Sequence, residues 1–409
     1  MGTTPSSKGR GTTYIMANLD RCLNVWDLRD AAKRRLPKGL FEFVDRATED
    51  HLAVANNRSA FERIKLRHRA LVDVSNRSVA TTLFGKPASL PMAIAPTGAA
   101  GLCWHQGELE LAKAAAKAQI PLTLSTASMT PMEKIAEAGG RLWFQLYVWK
   151  QRELSHQLIE RANRNGFEAL IVTVDSPVSP NREYNTHNGF GLPFNPTLRF
   201  MVDIMRHPAW TSSVLMKYFG SQGFPRHENY PKEYQGSILS GVGSRDALRA
   251  DSLAWEDIAK FRDIWPGVLM LKGVNRPDDA VKALSYGIDG IVVSNHGGRN
   301  MDSAAASLDV LPEIAEAVGD RMTLILDSGV RRGSDIVKAL ALGAKAVLTG
   351  RATLYGTAVG GEAGALKAIN ILKNEADKTM AYTGCRSVDE ISSDIFWGYR
   401  DGNRLMGAA

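Results

Sequence analysis

A closed barrel of eight parallel strands, each followed by a helix, is the fold class that this sequence predicts. Three observations lead there. Eight short apolar runs recur along the chain, nearly all of them end in polar or glycine residues, and alanine-rich or amphipathic helical stretches separate most of them. Alternating strand and helix signals imply a parallel sheet. Eight repeats that end in polar residues imply its closure into a (β/α)8 TIM barrel. A doubly wound open sheet is the alternative, and it ranks lower because no GxGxxG follows the first strand.

Taken in order, the chain begins MGTTPSSKGRGTT, a polar start without the hydrophobic core of a secretory signal. Residues 1–20 are expected to form a disordered tail and 21–409 a single barrel domain. Residues 24–35 have helical spacing, with Val25, Leu28 and Ala32 on one side. Lys33-Arg34-Arg35 closes that stretch, as suits a helix C-terminus. Leu36-Pro37-Lys38 breaks it, and a second helix is expected to follow to about Asp50.

The strand signals come next. Residues 90–95 end in Pro96-Thr97-Gly98, 121–124 in Ser125-Thr126, 142–148 contain Gln145 and Tyr147, and 169–174 end in Asp175. Residues 268–271 end in Lys272-Gly273, 290–293 in Ser294-Asn295-His296, 322–326 in Asp327-Ser328-Gly329, and 346–348 in Thr349-Gly350-Arg351. Continuous apolar runs of this kind are strands buried on both faces. Helical stretches such as 108–118 and 335–342 lie between them.

One connection is far too long for a βα loop. Residues 189–252, between the fourth and fifth strands, form an insertion of the kind that serves as a lid or a binding segment. Its first half carries Phe200, Met201, Ile204, Met205, Trp210 and Phe219 among other apolar residues; its second half is rich in Gly, Ser and Pro. Such residues can pack on the barrel or a subunit contact, or lie in a membrane surface. An in-plane amphipathic segment needs a basic face, and seven Lys/Arg against five Asp/Glu is a weak excess.

Composition excludes several classes. The chain is 44% hydrophobic and 23% charged, as ordinary soluble proteins are. Its net charge of +7 and pI of about 9.2 could serve an anionic ligand, but no Lys/Arg block of the nucleic-acid type occurs. Cys22, Cys103 and Cys385 form no metal-type or redox-type pair, so no metal site is expected and a reducing cytosol suits them. No apolar run is long enough to span a bilayer. A cytoplasmic location follows as an expectation, with the inner face of the membrane as a possible peripheral site for the insertion.

The most informative stretch is IVVSNHGGRN, residues 291–300. A buried strand delivers Ser294, Asn295 and His296 at its C-terminal end, where barrels carry chemistry. A histidine there exchanges protons near neutral pH. Gly297 and Gly298 permit a sharp turn or a close approach, and Arg299 is a planar fork for a carboxylate or phosphate. An isolated histidine would be read as a surface turn; the combination argues for function. The turn from Asp327 to Gly333 precedes a helix starting near Ser334, and Gly350-Arg351 follows the eighth strand. Free N–H groups at helix starts bind phosphate, and the late loops of barrels are where phosphate sites recur.

SNHGGRN closely resembles the active-site signature of the FMN-dependent 2-hydroxy acid dehydrogenases and oxidases, and TVDSPVSPNRE, RRGSDIVKALALGA and GRATLYG extend the resemblance from about Leu36 to about Gly384. The resemblance implies FMN as cofactor, with Asp327, Gly329, Arg331, Gly350 and Arg351 at its phosphate. It places Pro96, Thr97 and Gly98 on the N5 side, Ser125, Gln145, Thr173 and Ser294 around the ring, and Lys272 near N1/O2. On the substrate side it implies His296 as general base, Asp175 orienting it, Tyr147 bonding the developing oxyanion, and Arg182 and Arg299 holding the carboxylate. The sequence allows two routes, one in which the proton leaves from Cα and one in which it leaves from the hydroxyl.

The family also has an N-terminal helical segment that covers the bottom of the barrel and sends one residue, usually Tyr, to the substrate. The matching position here is Phe43, which has no hydroxyl. Ala127 stands where several short-chain oxidases carry Trp, which leaves room for an aromatic substituent. Gly98 stands where oxidases commonly carry Ala. With the long matches of the resemblance, Ala127 implies an aromatic (S)-2-hydroxy acid substrate; Gly98 implies a quinone-type electron acceptor; and the resemblance by itself implies a homotetramer. Other readings are a peroxide-forming oxidase, a paralogue acting on a modified peptide or amine, and a silent FMN-binding scaffold. A member of the family that the chain resembles throughout uses the matching insertion as a membrane-surface anchor.

Overall fold

The computed structural model describes residues 19–190, 197–221, 223–235 and 250–398. Most of the expected tail and parts of the insertion lie outside these residues. Leu19, the first described residue, is already packed in the core.

Two short strands, β1 (Thr81–Leu83) and β2 (Lys86–Ala88), pair as an antiparallel hairpin. The barrel follows: β3 (Met92–Ile94), β4 (Leu122–Ser125), β5 (Leu142–Leu146), β6 (Ala169–Thr173), β7 (Val268–Lys272), β8 (Gly290–Val293), β9 (Thr323–Leu326) and β10 (Ala346–Thr349). They close in the order β10-β3-β4-β5-β6-β7-β8-β9, with every pairing parallel. All eight coincide with the apolar runs, because a strand packed inside and out admits almost nothing but apolar side chains. The lumen is filled by side chains, among them Trp143, Ile171, Met270, Val292, Ile325 and Leu348. It is a packed core and not a pore.

Register decides what the mouth of the barrel holds. Ser125 lies opposite Gln145, and Thr173 opposite Lys272. The first polar residue after each apolar run therefore arrives near one level, at the C-terminal ends.

Three departures from the expected fold are clear. The N-terminal segment does not close the bottom of the barrel. The β1–β2 hairpin does so: Leu83 joins the lumen cluster, Phe84 packs edge-on against Trp143, and the Leu83 carbonyl accepts from Arg141. The N-terminal helices lie at the other end, where Phe43 and Val44 line the cleft and Gly298 sits against the backbone of Ala53 and Val54. The second helix stops at Asp45, and a further helix, Leu52–Arg63, follows with its first turn capped by Asp302. Finally, one long helical span, Arg351–Thr383, leaves helical geometry at Gly360 and Gly361.

The described part of the insertion docks on the barrel along one side. Trp210, Val214 and Tyr218 are buried, and the Trp210 indole N–H donates to the Leu102 carbonyl at 2.7 Å. The other side exposes Leu198, Met201, Met205, Met216 and Phe219. No helix among the described residues is long and apolar enough to cross a membrane. Cys22, Cys103 and Cys385 are all free and buried.

Candidate active site

The strand ends open into a solvent-accessible cleft of about 1150 Å³, counted with the solvent at its mouth. Its chemistry begins with β8. His296 adopts the left-handed backbone conformation, φ 58°, and Gly297 and Gly298 continue it. That conformation costs a residue with a Cβ about 1–2 kcal/mol, so the histidine must be held there. Its own N–H donates to Ser294 Oγ at 2.9 Å, and the Gly297 N–H donates to Ser328 Oγ at 2.9 Å. A side chain on Gly298 would meet the Val54 backbone, so only glycine fits.

The turn points the His296 imidazole along a line of polar groups. Nδ1 lies 3.0 Å from Asp175 Oδ1 and 3.2 Å from Oδ2. A carboxylate accepts, so Nδ1 carries the proton and the neutral ring offers the Nε2 lone pair to the cleft. Nε2 lies 3.3 Å from the Tyr147 hydroxyl. Burial pulls His296 below its ordinary pKa; Asp175 opposes that shift, and Lys272 and Arg182 add to it. Burial works against the Asp175 charge, but His296 and Lys272 outweigh it and hold the carboxyl below its ordinary value. The result near neutral pH is an ionised acid behind a neutral imidazole.

A second charge pair lies deeper. Burial opposes the Lys272 charge, but Asp327 and Asp175 outweigh it and raise its pKa. Lys272 Nζ stands 3.3 Å from Asp327 and donates to Ser294 Oγ at 3.1 Å, and that hydroxyl donates to Asp327 at 2.6 Å. Beside it Ser125 Oγ donates to Gln145 Oε1 at 3.0 Å, and Gln145 Nε2 donates to Thr173 Oγ1 at 2.8 Å. These groups form a polar floor with a cation at its centre.

The far end of the cleft is built for an anion. Arg331 and Arg351 are both buried, yet neither forms an ion pair among the described residues. Among the described residues the Arg331 guanidinium donates only to the carbonyl of its neighbour Val330 and leaves a buried Nε unbonded. Arg351 donates to the carbonyls of Val44, Gly297 and Arg46. Burial pulls both below the ordinary guanidinium pKa, and the neighbouring Asp45 carboxylate opposes this too weakly to offset it. Two buried guanidiniums without a carboxylate are costly unless a ligand supplies the charge. Gly329, φ 87°, has no room for a side chain against the Asn57 carbonyl, and the helix Gly333–Ala341 begins just beyond it.

The cleft thus brings together Phe43, Pro96, Thr97, Gly98, Ser125, Tyr147, Arg182, Lys272, His296, Arg299, Asp327, Gly329, Arg331, Gly350 and Arg351. Asp175 and Ser294 stand behind this lining, and Gln145 and Thr173 beneath it. Arg299 donates to the carbonyls of Phe43 and Arg46, and its guanidinium lies over the Phe43 ring, 5.3 Å from the centroid. Arg182 donates to the Arg299 carbonyl at 3.0 Å.

Sequence reasoning missed several supporting residues. Asn300 donates to the Asp175 carbonyl and to Ser176 Oγ, which pins the acid that faces His296. Asp335 accepts from the backbone N–H groups of Arg331 and Arg332 and pairs with Arg58. Its signal was available, since an acid at the third position of a helix suits N-terminal capping. His227, from the insertion, also lines the cleft, and nothing in its sequence neighbourhood marks it.

A barrel with a polar floor, a partnered lysine, a His–Asp pair and a buried anion cradle at its strand ends has the features of a cofactor-dependent barrel enzyme. Comparison with known proteins gives the particular family. Residues 32–398 match the FMN-dependent dehydrogenase family. The chain is 39% identical over 372 residues to the (S)-mandelate dehydrogenase of Pseudomonas putida, covering 91% of this chain and 93% of that one. It is 40% identical over 390 residues to the L-lactate oxidase of a Nostoc species, covering 93% and 99%. A crystal structure of the monotopic membrane protein (S)-mandelate dehydrogenase superposes with a TM-score of 0.87 at 38% identity, covering 93% of this chain and all of that one. The chain belongs to the FMN-dependent 2-hydroxy acid dehydrogenase family, and its cofactor is FMN.

The anion cradle fits the FMN phosphate, and the fit is testable. Arg331→Met keeps the bulk of the side chain and removes its charge. Hydrogen bonds to charged groups contribute about 1.5–3 kcal/mol, so FMN should be held roughly ten- to a hundredfold more weakly. Flavin released on ultrafiltration measures this. Wild-type retention in the variant would place the phosphate elsewhere.

Proposed function

We propose that this chain oxidises an aromatic (S)-2-hydroxy acid to the 2-oxo acid and passes the electrons to a quinone-type acceptor at a membrane surface. The observation that carries the chemistry is the His296 ring between Asp175 and Tyr147, with Arg182 and Arg299 lining the same cleft.

On this reading Arg182 and Arg299 hold the substrate carboxylate, and Tyr147 donates to the substrate oxygen. His296 Nε2 takes one substrate proton, and Asp175 stabilises the imidazolium that forms. FMN supplies the acceptor for the electron pair of the broken Cα–H bond. Arg331, Arg351, Gly329 and Gly350 serve its phosphate end; Lys272, Ser125, Gln145, Thr173 and Ser294 serve its ring, with the lysine as counter-charge. Asp327, expected at the phosphate, instead pairs with Lys272 and Ser294 in the polar floor on the ring side. Pro96, Thr97 and Gly98 border its N5 side. Ala127 lines the cleft beside Gly98 and leaves room for a ring on the substrate.

A general base typically contributes about a hundred- to ten-thousand-fold, so His296→Ala should retain FMN and lose turnover on that scale. The wild-type pH profile follows from the same residue. The base works neutral, and its pKa is lowered, so kcat/KM should stay level as pH falls past the ordinary histidine range and drop only below it. A full-strength limb at or above that range would contradict the assignment.

Substrate and acceptor are settled together by assaying (S)-mandelate and L-lactate with a quinone analogue and with oxygen. The expected outcome is preference for mandelate and faster reoxidation by the quinone. Oxygen reacting as fast as the quinone would favour the second reading, a peroxide-forming oxidase, for which the likeness to a lactate oxidase speaks.

The exposed apolar side of the insertion supports the membrane part of the proposal. Leu198 is 82% exposed, Met205 69% and Met216 58%, whereas Trp210 and Tyr218 behind them are buried. The protein should float with anionic liposomes at low salt, and substituting Leu198, Met205 and Met216 by Ser should return it to the soluble fraction with its flavin. Failure of the wild type to float would remove the membrane from the reading.

A further inference from the structure

Glu108 is a buried acid that the proposed chemistry does not use. It is 3% exposed, and among the described residues no cation pairs with it. A carboxylate in such a place must be fully hydrogen-bonded to be tolerated. Oε1 accepts from the Gly101 N–H at 3.1 Å and from the Met129 N–H at 3.2 Å, and Oε2 accepts from the Thr130 hydroxyl at 3.1 Å.

These donors belong to two different loops. Gly101 sits in the helical turn Ala100–Cys103, directly after the Pro96-Thr97-Gly98 loop of β3. Met129 and Thr130 follow Ala127 in the loop of β4. Gly98 and Ala127 line the cleft, and a Cβ on Gly98 would lie 3.3 Å from the Ala127 Cβ. One carboxylate therefore ties together the two loops whose facing residues border the cofactor.

The surroundings leave this clamp little freedom. A Cβ on Gly101 would lie 2.7 Å from the Tyr218 hydroxyl and 2.9 Å from the Met129 Cβ. The insertion braces the same turn, since Tyr218 accepts from the Gln106 N–H at 3.2 Å and Trp210 donates to the Leu102 carbonyl at 2.7 Å.

We propose that Glu108 is a positioning residue whose carboxylate clamps the Gly98 loop to the Ala127 loop and so sets the gap at the N5 face of the flavin. This rests on the reading that Gly98 and Ala127 border that face. The bond pattern separates clamp from charge. In Glu108→Gln the amide oxygen can accept from both N–H groups while the amide nitrogen donates to the Thr130 hydroxyl, which turns to accept. The geometry survives, and because burial already raises the Glu108 pKa, the substitution tests the hydrogen bonds and not a charge. Glu108→Ala loses the bonds.

Sulfite, which adds to N5 of oxidised flavin and bleaches its absorbance, reads this face without turnover. In FMN-loaded protein, Glu108→Ala should change sulfite affinity by about tenfold or more, as loss of its hydrogen bonds implies. Glu108→Gln should stay near wild type. Thr130→Val removes a single bond of the clamp and should shift the affinity in the same direction by a smaller factor; it serves also where Glu108→Ala fails to fold. Unchanged affinity in Thr130→Val, or a shift in Glu108→Gln as large as in Glu108→Ala, overturns the proposal. Gly98→Ala is the control for the reading beneath it. If Gly98→Ala shifts sulfite affinity and the clamp variants do not, only the clamp fails. If Gly98→Ala has no effect, the placement of the N5 face fails, and the clamp proposal with it.

Discussion

The mouth of this barrel depends on one constraint: charged groups taken out of water must be partnered, or must await a ligand that partners them. Asp175 has His296, and Lys272 has Asp327. Glu108 has two backbone N–H groups and a hydroxyl. Arg331 and Arg351 have only carbonyls. Sorting buried charges by whether the protein satisfies them separates scaffold from site. The satisfied ones orient their neighbours, and the two unsatisfied cations mark where an anionic ligand completes the structure.

The constraint also explains how the loops are held. His296, in a left-handed turn, is fixed by Ser294 beneath it and Asp175 beside it. Ser294 takes part in both charge systems, since it accepts from Lys272 and from the His296 N–H and donates to Asp327. The small hydroxyl between lysine, aspartate and histidine makes the polar floor and the proton-transfer site parts of one network. Networks of this kind are worth more when complete than pairwise contacts suggest.

The barrel was legible in the sequence because two-sided burial leaves a strand almost no chemical choice, and the polar residues that end the runs line the cleft or, like Asp175 and Ser294, stand directly behind its lining. What escaped notice follows different physics. Strands β1 and β2 are three residues each and half polar, too short to carry a period. The helical span Arg351–Thr383 contains Gly356, Gly360, Gly361 and Gly364, residues that argue against a helix by propensity. Gly356 and Gly364 are there because a Cβ on either would run into the backbone of the other. Asn300 closes the very stretch that marks the site, but its bonds to Asp175 and Ser176 are made across the fold, and His227 reaches the cleft through tertiary placement alone, which no local pattern encodes.

Phe43 shows where residue-by-residue resemblance and physical context must be read together. The ring packs against Phe190 with centroids 5.3 Å apart and lies beneath the Arg299 guanidinium. A cation over an aromatic face contributes about 0.5–2 kcal/mol, more where water is excluded, and that contribution does not require a hydroxyl. Arg299 is further fixed by two backbone carbonyls, those of Phe43 and Arg46. The change from tyrosine to phenylalanine thus leaves the packing that orients the arginine in place and removes one donor that could face a carboxylate. Arg182 and Arg299 then carry that task alone on the proposed reading. Because both are permanently charged, they can hold an anion without help. The missing hydroxyl instead bears on what else fits beside it: the wall at this point is apolar, and so is Ala127 elsewhere in the cleft lining. On the proposed reading, these two apolar residues and the two arginines of the same cleft lining suit a substrate that is a carboxylate at one end and a ring at the other.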